Sequence, residues 1–134
     1  MMCNLGSHQP RCLIAEDQAL IGMGLEATLE DIGIAVAGPF PSCSEALAWI
    51  EADRPDVAII DYKLRDGPCT ELVTALLGQG VPVVIYSGFP QGSDIAPELC
   101  GLTWLEKPTA RSDLLAAMAR IAPAIADQIT SPAQ

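Results

Sequence analysis

Val57-Ala58-Ile59-Ile60-Asp61 runs four apolar residues straight into a carboxylate. A continuous apolar run, rather than an alternating one, is what a parallel strand covered on both faces requires. Two other runs have the same shape: Cys12–Ala15 leads into Glu16-Asp17, and Leu102–Leu105 leads into Glu106-Lys107-Pro108. As adjacent parallel strands, the three would gather Glu16, Asp17, Asp61 and Lys107 at one carboxyl edge, where open α/β sheets bind ligands. Acids held that close repel one another unless a cation intervenes, so the cluster implies a divalent metal. The set reads as a metal-assisted phosphoryl site with a carboxylate acceptor.

Short β-like runs alternate with longer helical ones along the rest of the chain, as in a sheet built by helical crossovers. The first strand is expected over 11–16 and the first helix over about 18–32. Ile21, Leu25, Thr28, Leu29 and Ile32 share one helical face, and Gly33 closes the helix. A second strand over 34–38 is expected to stop at Pro39 and Pro41. Ser42 or Ser44 then caps a helix whose Ala46, Leu47, Trp49 and Ile50 face the sheet. After the strand 57–61, a loop over 62–67 leads to a third helix with Pro68 near its first turn. The fourth strand is expected over 81–86 and the fifth over 103–105. A final helix over about 110–129 carries Leu114, Leu115, Met118 and Ile121 on one face, and Pro123 should kink or split it. Between the last two strands, Gly88-Phe89-Pro90-Gln91-Gly92-Ser93 is turn-rich and Pro97 interrupts the stretch from Asp94 to Cys100, so a short, distorted fourth helix is expected.

At 134 residues the chain is long enough for one domain with a substantial core. The expected organisation is a loose tail over 1–10, one domain over 11–129 and a short tail over 130–134. No apolar stretch approaches the ~20 residues of a membrane span, and Met1–Pro10 lacks the hydrophobic core of a secretory signal. A cytoplasmic location is therefore expected. The formal net charge of −10 argues against a nucleic-acid surface, which needs clustered Lys and Arg. Five cysteines, Cys3, Cys12, Cys43, Cys69 and Cys100, contain no C-x-x-C pair and suggest reduced thiols rather than a disulfide framework or zinc site. His8, the one histidine, has no visible catalytic partner.

Each element of the site has an ordinary reading when taken alone. Asp61 could be a turn residue, Glu16-Asp17 first-turn acids favoured by the helix dipole, and Lys107-Pro108 a loop exit. Ser87-Gly88, after the fourth strand, could be a plain turn, although a hydroxyl there can donate to a phosphoryl oxygen beside a glycine that leaves room. Their order, at the ends of successive predicted strands, is what favours a shared site.

Glu16-Asp17, Asp61, Asp66-Gly67, Ser87, Trp104 and Lys107-Pro108 resemble the pattern of receiver domains of two-component response regulators, over essentially residues 11–129. The resemblance implies a flavodoxin-like, CheY-like doubly wound α/β fold: a five-stranded parallel sheet in the order 2-1-3-4-5 with helices on both faces. It implies that Asp61 accepts a phosphoryl group from the phosphohistidine of a sensor histidine kinase or a histidine phosphotransfer protein. Mg²⁺ would be held by Glu16, Asp17, Asp61 and the backbone carbonyl of Lys63. Lys107 would pair with phosphoryl oxygens, Ser87 would swing in to bind one, and the Lys107-Pro108 bond is commonly cis in the family. Transfer of this kind depends on positioning and charge neutralisation, which these groups supply.

The family's switch commonly involves an aromatic residue on the fifth strand. Trp104 stands there, larger than the usual Tyr or Phe, either as a switch or as a static surface or core residue. The stretch Ile85-Tyr86-Ser87-Gly88-Phe89 partly resembles the Phe-Ala-Thr-Gly-Tyr motif of certain single-domain receivers, departing at Ile85, Tyr86 and Ser87. In that class Phe89 and the ordering of 89–101 would carry the switch. Leu20 and Met23 fall off the inward stripe of the first helix and, with Pro108, form the expected docking surface for the kinase's helical bundle.

The expected protein is thus a stand-alone signalling receiver, not an enzyme beyond its own phosphorylation and dephosphorylation. It would act on an unidentified downstream protein, or drain phosphate from a kinase, as monomer or homodimer. A receiver-like module binding constitutively without phosphorylation is the alternative. A haloacid-dehalogenase-type hydrolase would need a second Asp two residues after the nucleophile, where Lys63 stands.

Overall fold

The computed structural model describes residues 9–88 and 97–130. Its main sheet has five parallel strands, β1 (Arg11–Ala15), β2 (Ala35–Phe40), β3 (Val57–Ile60), β6 (Val83–Ser87) and β7 (Thr103–Glu106), in the order β2-β1-β3-β6-β7. Helix α1 (Ala19–Glu30) packs on one face with α4 (Arg111–Ile121) and α5 (Pro123–Thr130). Helices α2 (Cys43–Ala52) and α3 (Thr70–Gly78) cover the other. The doubly wound, flavodoxin-like fold is the one expected. The numbering runs past five because β4 (Lys63–Leu64) and β5 (Gly67–Pro68) form a small antiparallel hairpin after β3.

Adjacent residues of the central strands divide between the two faces, which is why the runs read as unbroken apolar sequence. Leu13, Ile60 and Ile85 join Ala46, Ile50, Leu72 and Leu76 in the core on the α2–α3 side. Ile14, Ile59 and Val84 join Leu25, Leu29, Leu114 and Met118 in the core opposite. The register places Ile14 beside Ile59 and Ile60 beside Ile85, so the strands finish nearly level. The Asp61 N–H donates to the Ala15 carbonyl at 2.9 Å, bringing the ends of β1 and β3 together.

Several boundaries correct the sequence reading. β2 continues through Pro39 to Phe40 because it is an edge strand with a bulge: Leu13 pairs Ala37, but Ala15 pairs Phe40. An edge position tolerates the missing proline N–H, and the bulge takes up the extra residue. Gly38 makes this path sterically accessible, with φ of +105° and a would-be Cβ only 2.6 Å from the Ile14 carbonyl oxygen. Pro68 belongs to the β4–β5 hairpin rather than to the first turn of α3, which starts at Thr70 after Cys69. Pro123 splits the final helical stretch as expected: α4 ends before Ala122, and Pro123 opens α5, whose Ile125 is fully buried. Pro10 is not part of a loose tail, since its carbonyl accepts the Ala35 N–H at 2.9 Å.

Ser42 caps α2, accepting the Glu45 N–H at 3.2 Å, and Gly33 follows α1 with φ of +88°. Between β6 and β7, the described residues hold a 3₁₀ turn, Pro97–Leu99, whose Leu99 is buried in the α2–α3-side core. The expectation for 89–101 falls largely outside the described residues, as do Phe89 and residues 1–8 of the tail. Cys12, Cys43 and Cys69 are buried free thiols, and Cys100 is exposed. No helix among the described residues is long and apolar enough to cross a membrane.

Candidate functional site

The ends of β1, β3 and β7 converge at one edge of the sheet. Glu16 and Asp17 follow β1, Asp61 follows β3, and Lys107 follows β7. One carboxylate oxygen from each of Glu16, Asp17 and Asp61 lies within 4.8 Å of the others. Glu16 and Asp61 are buried, while Asp17 is more open to solvent. Lys107 Nζ is 2.7 Å from Glu16 Oε1 and 3.0 Å from Asp61 Oδ2, and also donates to Gln18 Oε1 at 3.5 Å.

Local backbone geometry explains why these groups meet. The Glu16 N–H donates to the Phe40 carbonyl at 2.8 Å, so the bulged end of β2 anchors the β1 exit. Glu16 Oε2 accepts the Gln18 N–H at 3.0 Å, turning its side chain over the start of α1. The Lys107 N–H donates to the Ser87 carbonyl at 2.7 Å, extending the β6–β7 ladder by one residue. The Lys107–Pro108 peptide is cis.

Charge in the cluster is unbalanced. Burial pushes the Glu16 carboxyl above its ordinary value, outweighing its hydrogen bonds to Lys107 and the Gln18 N–H, and the Asp61 carboxylate pushes it further up. Burial opposes the Lys107 charge, but hydrogen bonds to Glu16 and Asp61 outweigh it and hold the ammonium protonated above its ordinary range. One ammonium against three carboxylates leaves two negative charges uncompensated. Hard oxygen donors with that deficit fit a small divalent cation of the Mg²⁺ type.

An open cavity of about 540 Å³ lies over the cluster, bordered by Asp17, Gln18, Asp61, Lys63, Gly88 and Lys107. Lys63 thus borders the same space as Asp61, and its N–H donates to Asp61 Oδ1 at 3.4 Å. Ser87 is brought to the same edge but is fully buried; Gly88, beside it, borders the cavity. Trp104 is half-buried, its ring 5.3 Å from that of Tyr62, the residue after Asp61. Leu20 and Met23 are 84% and 60% exposed. Leu20 borders a groove of about 280 Å³ between α1 and α4, with Tyr86, Thr109 and Arg111; Pro108 is exposed nearby in sequence.

Three residues near the site make contacts that the sequence did not reveal. Gln18 contacts both Glu16 and Lys107, though an amide after an acidic pair gives no pattern to notice. Tyr86 places its ring under Lys107, with Nζ 5.6 Å from the centroid. Asp66 matched the family pattern but had no assigned contact: its carboxylate accepts the N–H groups of Cys43 and Ser44 at 2.8 and 3.1 Å. It thereby ties the β4–β5 hairpin to the start of α2.

A doubly wound parallel sheet with an acidic pocket and a lysine at its carboxyl edge defines the class to which this molecule conforms. The chain belongs to the response regulator receiver domains of two-component systems, whose family profile matches residues 12–119. It is 33% identical over 114 residues to the transcriptional regulatory protein PdtaR of Mycobacterium tuberculosis, covering 81% of this chain and 54% of that protein. The chain thus spans about half the length of that curated relative. Among solved structures, it resembles SdrG from Sphingomonas melonis Fr1, with 30% identity, a TM-score of 0.70 and coverage of 84% of this chain and 95% of that one. The receiver domain of the PhyR response regulator from Erythrobacter litoralis has 26% identity and a TM-score of 0.73, with coverage of 96% and 98%.

Proposed function

We propose that this receiver domain accepts a phosphoryl group on Asp61 in a Mg²⁺-dependent reaction and signals through phosphorylation-dependent binding to another protein, or drains phosphate from a kinase. The observation that carries the reading is the meeting of Lys107 Nζ, 3.0 Å from Asp61 Oδ2, with three carboxylates at the open edge of the sheet. The donor is a phosphohistidine on a sensor histidine kinase or a histidine phosphotransfer protein. An Asp61 oxygen attacks phosphorus; the new P–O bond forms as the donor's N–P bond breaks and the imidazole leaves.

Glu16, Asp17, Asp61 and the Lys63 carbonyl would hold Mg²⁺, which when bound neutralises developing phosphoryl charge. Lys107 trades its contact with Asp61 for an incoming phosphoryl oxygen; a flexible ammonium with three donors suits that exchange. Ser87 moves from its buried position to donate to a second oxygen, beside the space left by Gly88. Trp104, against Tyr62, and Phe89 are the candidates for relaying occupancy of the site to the surface. Leu20, Met23 and Pro108 lie on the side from which the donor histidine approaches. Receiver domains are signalling domains rather than classical enzymes; the catalysis proposed here is limited to self-phosphorylation and slow loss of the group to water.

Radiolabelled transfer from a phosphorylated histidine phosphotransfer protein tests the reading. Label should appear on wild type in Mg²⁺ and be absent from Asp61→Asn and from wild type in excess chelator. Equal labelling of Asp61→Asn would place the acceptor elsewhere.

A further inference from the structure

We propose that Tyr86 is a positioning residue for Lys107, holding the ammonium while it changes hydrogen-bond partners; this role rests on the phosphoacceptor reading above. Tyr86 stands at one of the positions where the chain departs from the Phe-Ala-Thr-Gly-Tyr pattern. It is 7% exposed, on β6 directly before Ser87, and pairs with Leu105 of β7. Lys107 Nζ lies 5.6 Å from the centroid of its ring, within the range of a cation–π contact. The Tyr86 hydroxyl accepts the Thr109 N–H at 3.4 Å, so the ring spans the Lys107-Pro108-Thr109 turn from beneath. Lys107 is consequently held at two points by adjacent residues of one strand: its N–H by the Ser87 carbonyl and its ammonium by the Tyr86 ring.

The chemistry gives this arrangement a use. The contacts of Lys107 with Glu16, Asp61 and Gln18 are directional, and each uses one of its N–H donors. An incoming phosphoryl oxygen must displace at least one of them. The ring quadrupole attracts the cation without consuming a donor, so it persists while the hydrogen bonds are exchanged. It favours the charged ammonium close to Asp61 throughout the transfer, and fixes how far the flexible stem can stray toward solvent.

The test is the rate of Mg²⁺-dependent phosphorylation by acetyl phosphate in Tyr86→Phe and Tyr86→Leu, each alone and combined with Lys107→Met. Tyr86→Met replaces the leucine variant if that one does not fold. Tyr86→Phe keeps the ring and should stay within about twofold of wild type, whereas Tyr86→Leu should be slower by about fivefold. Mg²⁺ affinity, measured with the metal alone by calorimetry, should not change. In the Lys107→Met background, Tyr86→Leu should have no further effect, because the residue through which it acts is gone. In parallel, the Lys107 side-chain methylene proton resonances should carry a ring-current shift that Tyr86→Leu removes and Tyr86→Phe retains. Equal slowing by Tyr86→Leu with and without Lys107 would overturn the role and leave Tyr86 a scaffold residue. So would a Lys107 resonance indifferent to the ring. A wild type that takes up no phosphoryl group would instead sink the phosphoacceptor reading, and with it any part for Tyr86 in that reaction. Intact wild-type uptake with no Tyr86–Lys107 coupling would sink the Tyr86 role alone.

Discussion

Lys107 Nζ lies 2.7 Å from Glu16 Oε1, nearer than the 3.0 Å that separates it from Asp61 Oδ2. The lysine therefore serves the buried β1 acid at least as much as Asp61, as a structural counter-ion to both. Lys107→Met would leave three neighbouring carboxylates without an internal cation, and removing one partner of a buried pair is strongly destabilising. We expect a loss of about 3 kcal/mol, the low end for a buried pair, in chelator at neutral pH, with part of it recovered on adding Mg²⁺, read by chemical denaturation. A variant as stable as wild type in chelator would mean that solvent already screens the cluster.

Two glycines of α1 should respond oppositely to alanine. At Gly22, a Cβ would lie 2.9 Å from Pro39 Cβ and Cγ, forcing the helix away from the bulged end of β2. At Gly24 a Cβ meets nothing within 4 Å. Gly22→Ala should destabilise by about 1–3 kcal/mol through overpacking, while Gly24→Ala should stabilise by about 0.5–1 kcal/mol through helix propensity. Denaturant titration of the pair reads both signs. Destabilisation by Gly24→Ala would contradict the open surface seen at that position.

Asp66 predicts an acid-dependent term. The Cys43 N–H, with the Ser44 N–H behind it, holds the Asp66 carboxyl below its ordinary value of 3.8. A depressed folded-state pKa means the unfolded chain takes up the proton first as pH falls. The stabilisation is thus present above pH 3.8 and is lost as pH drops through the lower folded value. Asp66→Asn cannot titrate, so the difference in melting temperature between wild type and variant should shrink across that acid window. Asp53, held down to about 2 by Arg11, titrates in both proteins and cancels in the difference. A difference constant from neutral pH to the acid limb would show that Asp66 does not act through its charge.

Much of this architecture is legible in the sequence for a simple reason. A strand buried on both faces leaves no choice of residue type, so Val57–Ile60 and the charged residue that ends the run stand out together. Asp61 and Glu16 were readable because each stops an apolar run, and Asp17 and Lys107 because each stands one residue beyond such a stop. The β4–β5 hairpin was not, because its two-residue strands carry no periodicity. Pro39 misled because its meaning depends on β2 being an edge strand, a property of the assembled sheet. The contacts of Tyr86 and Asp66 escaped for the same reason: their partners, Lys107 and the start of α2, become neighbours only once the sheet and hairpin have formed. Gly33 and Pro123 were readable because their effects on the backbone are local.

Whether Asp61 is a metal-dependent phosphoacceptor is read from the intact mass of the protein after incubation with acetyl phosphate. Wild type and Asp61→Ala would be compared in Mg²⁺ and in chelator, with quenching fast enough to retain a short-lived acyl phosphate. Wild type in Mg²⁺ should gain one phosphoryl group, a gain absent in chelator and absent in the variant. An unmodified wild type under rapid quench, or the same gain in Asp61→Ala, would contradict it; the first result would favour a receiver that works by constitutive binding.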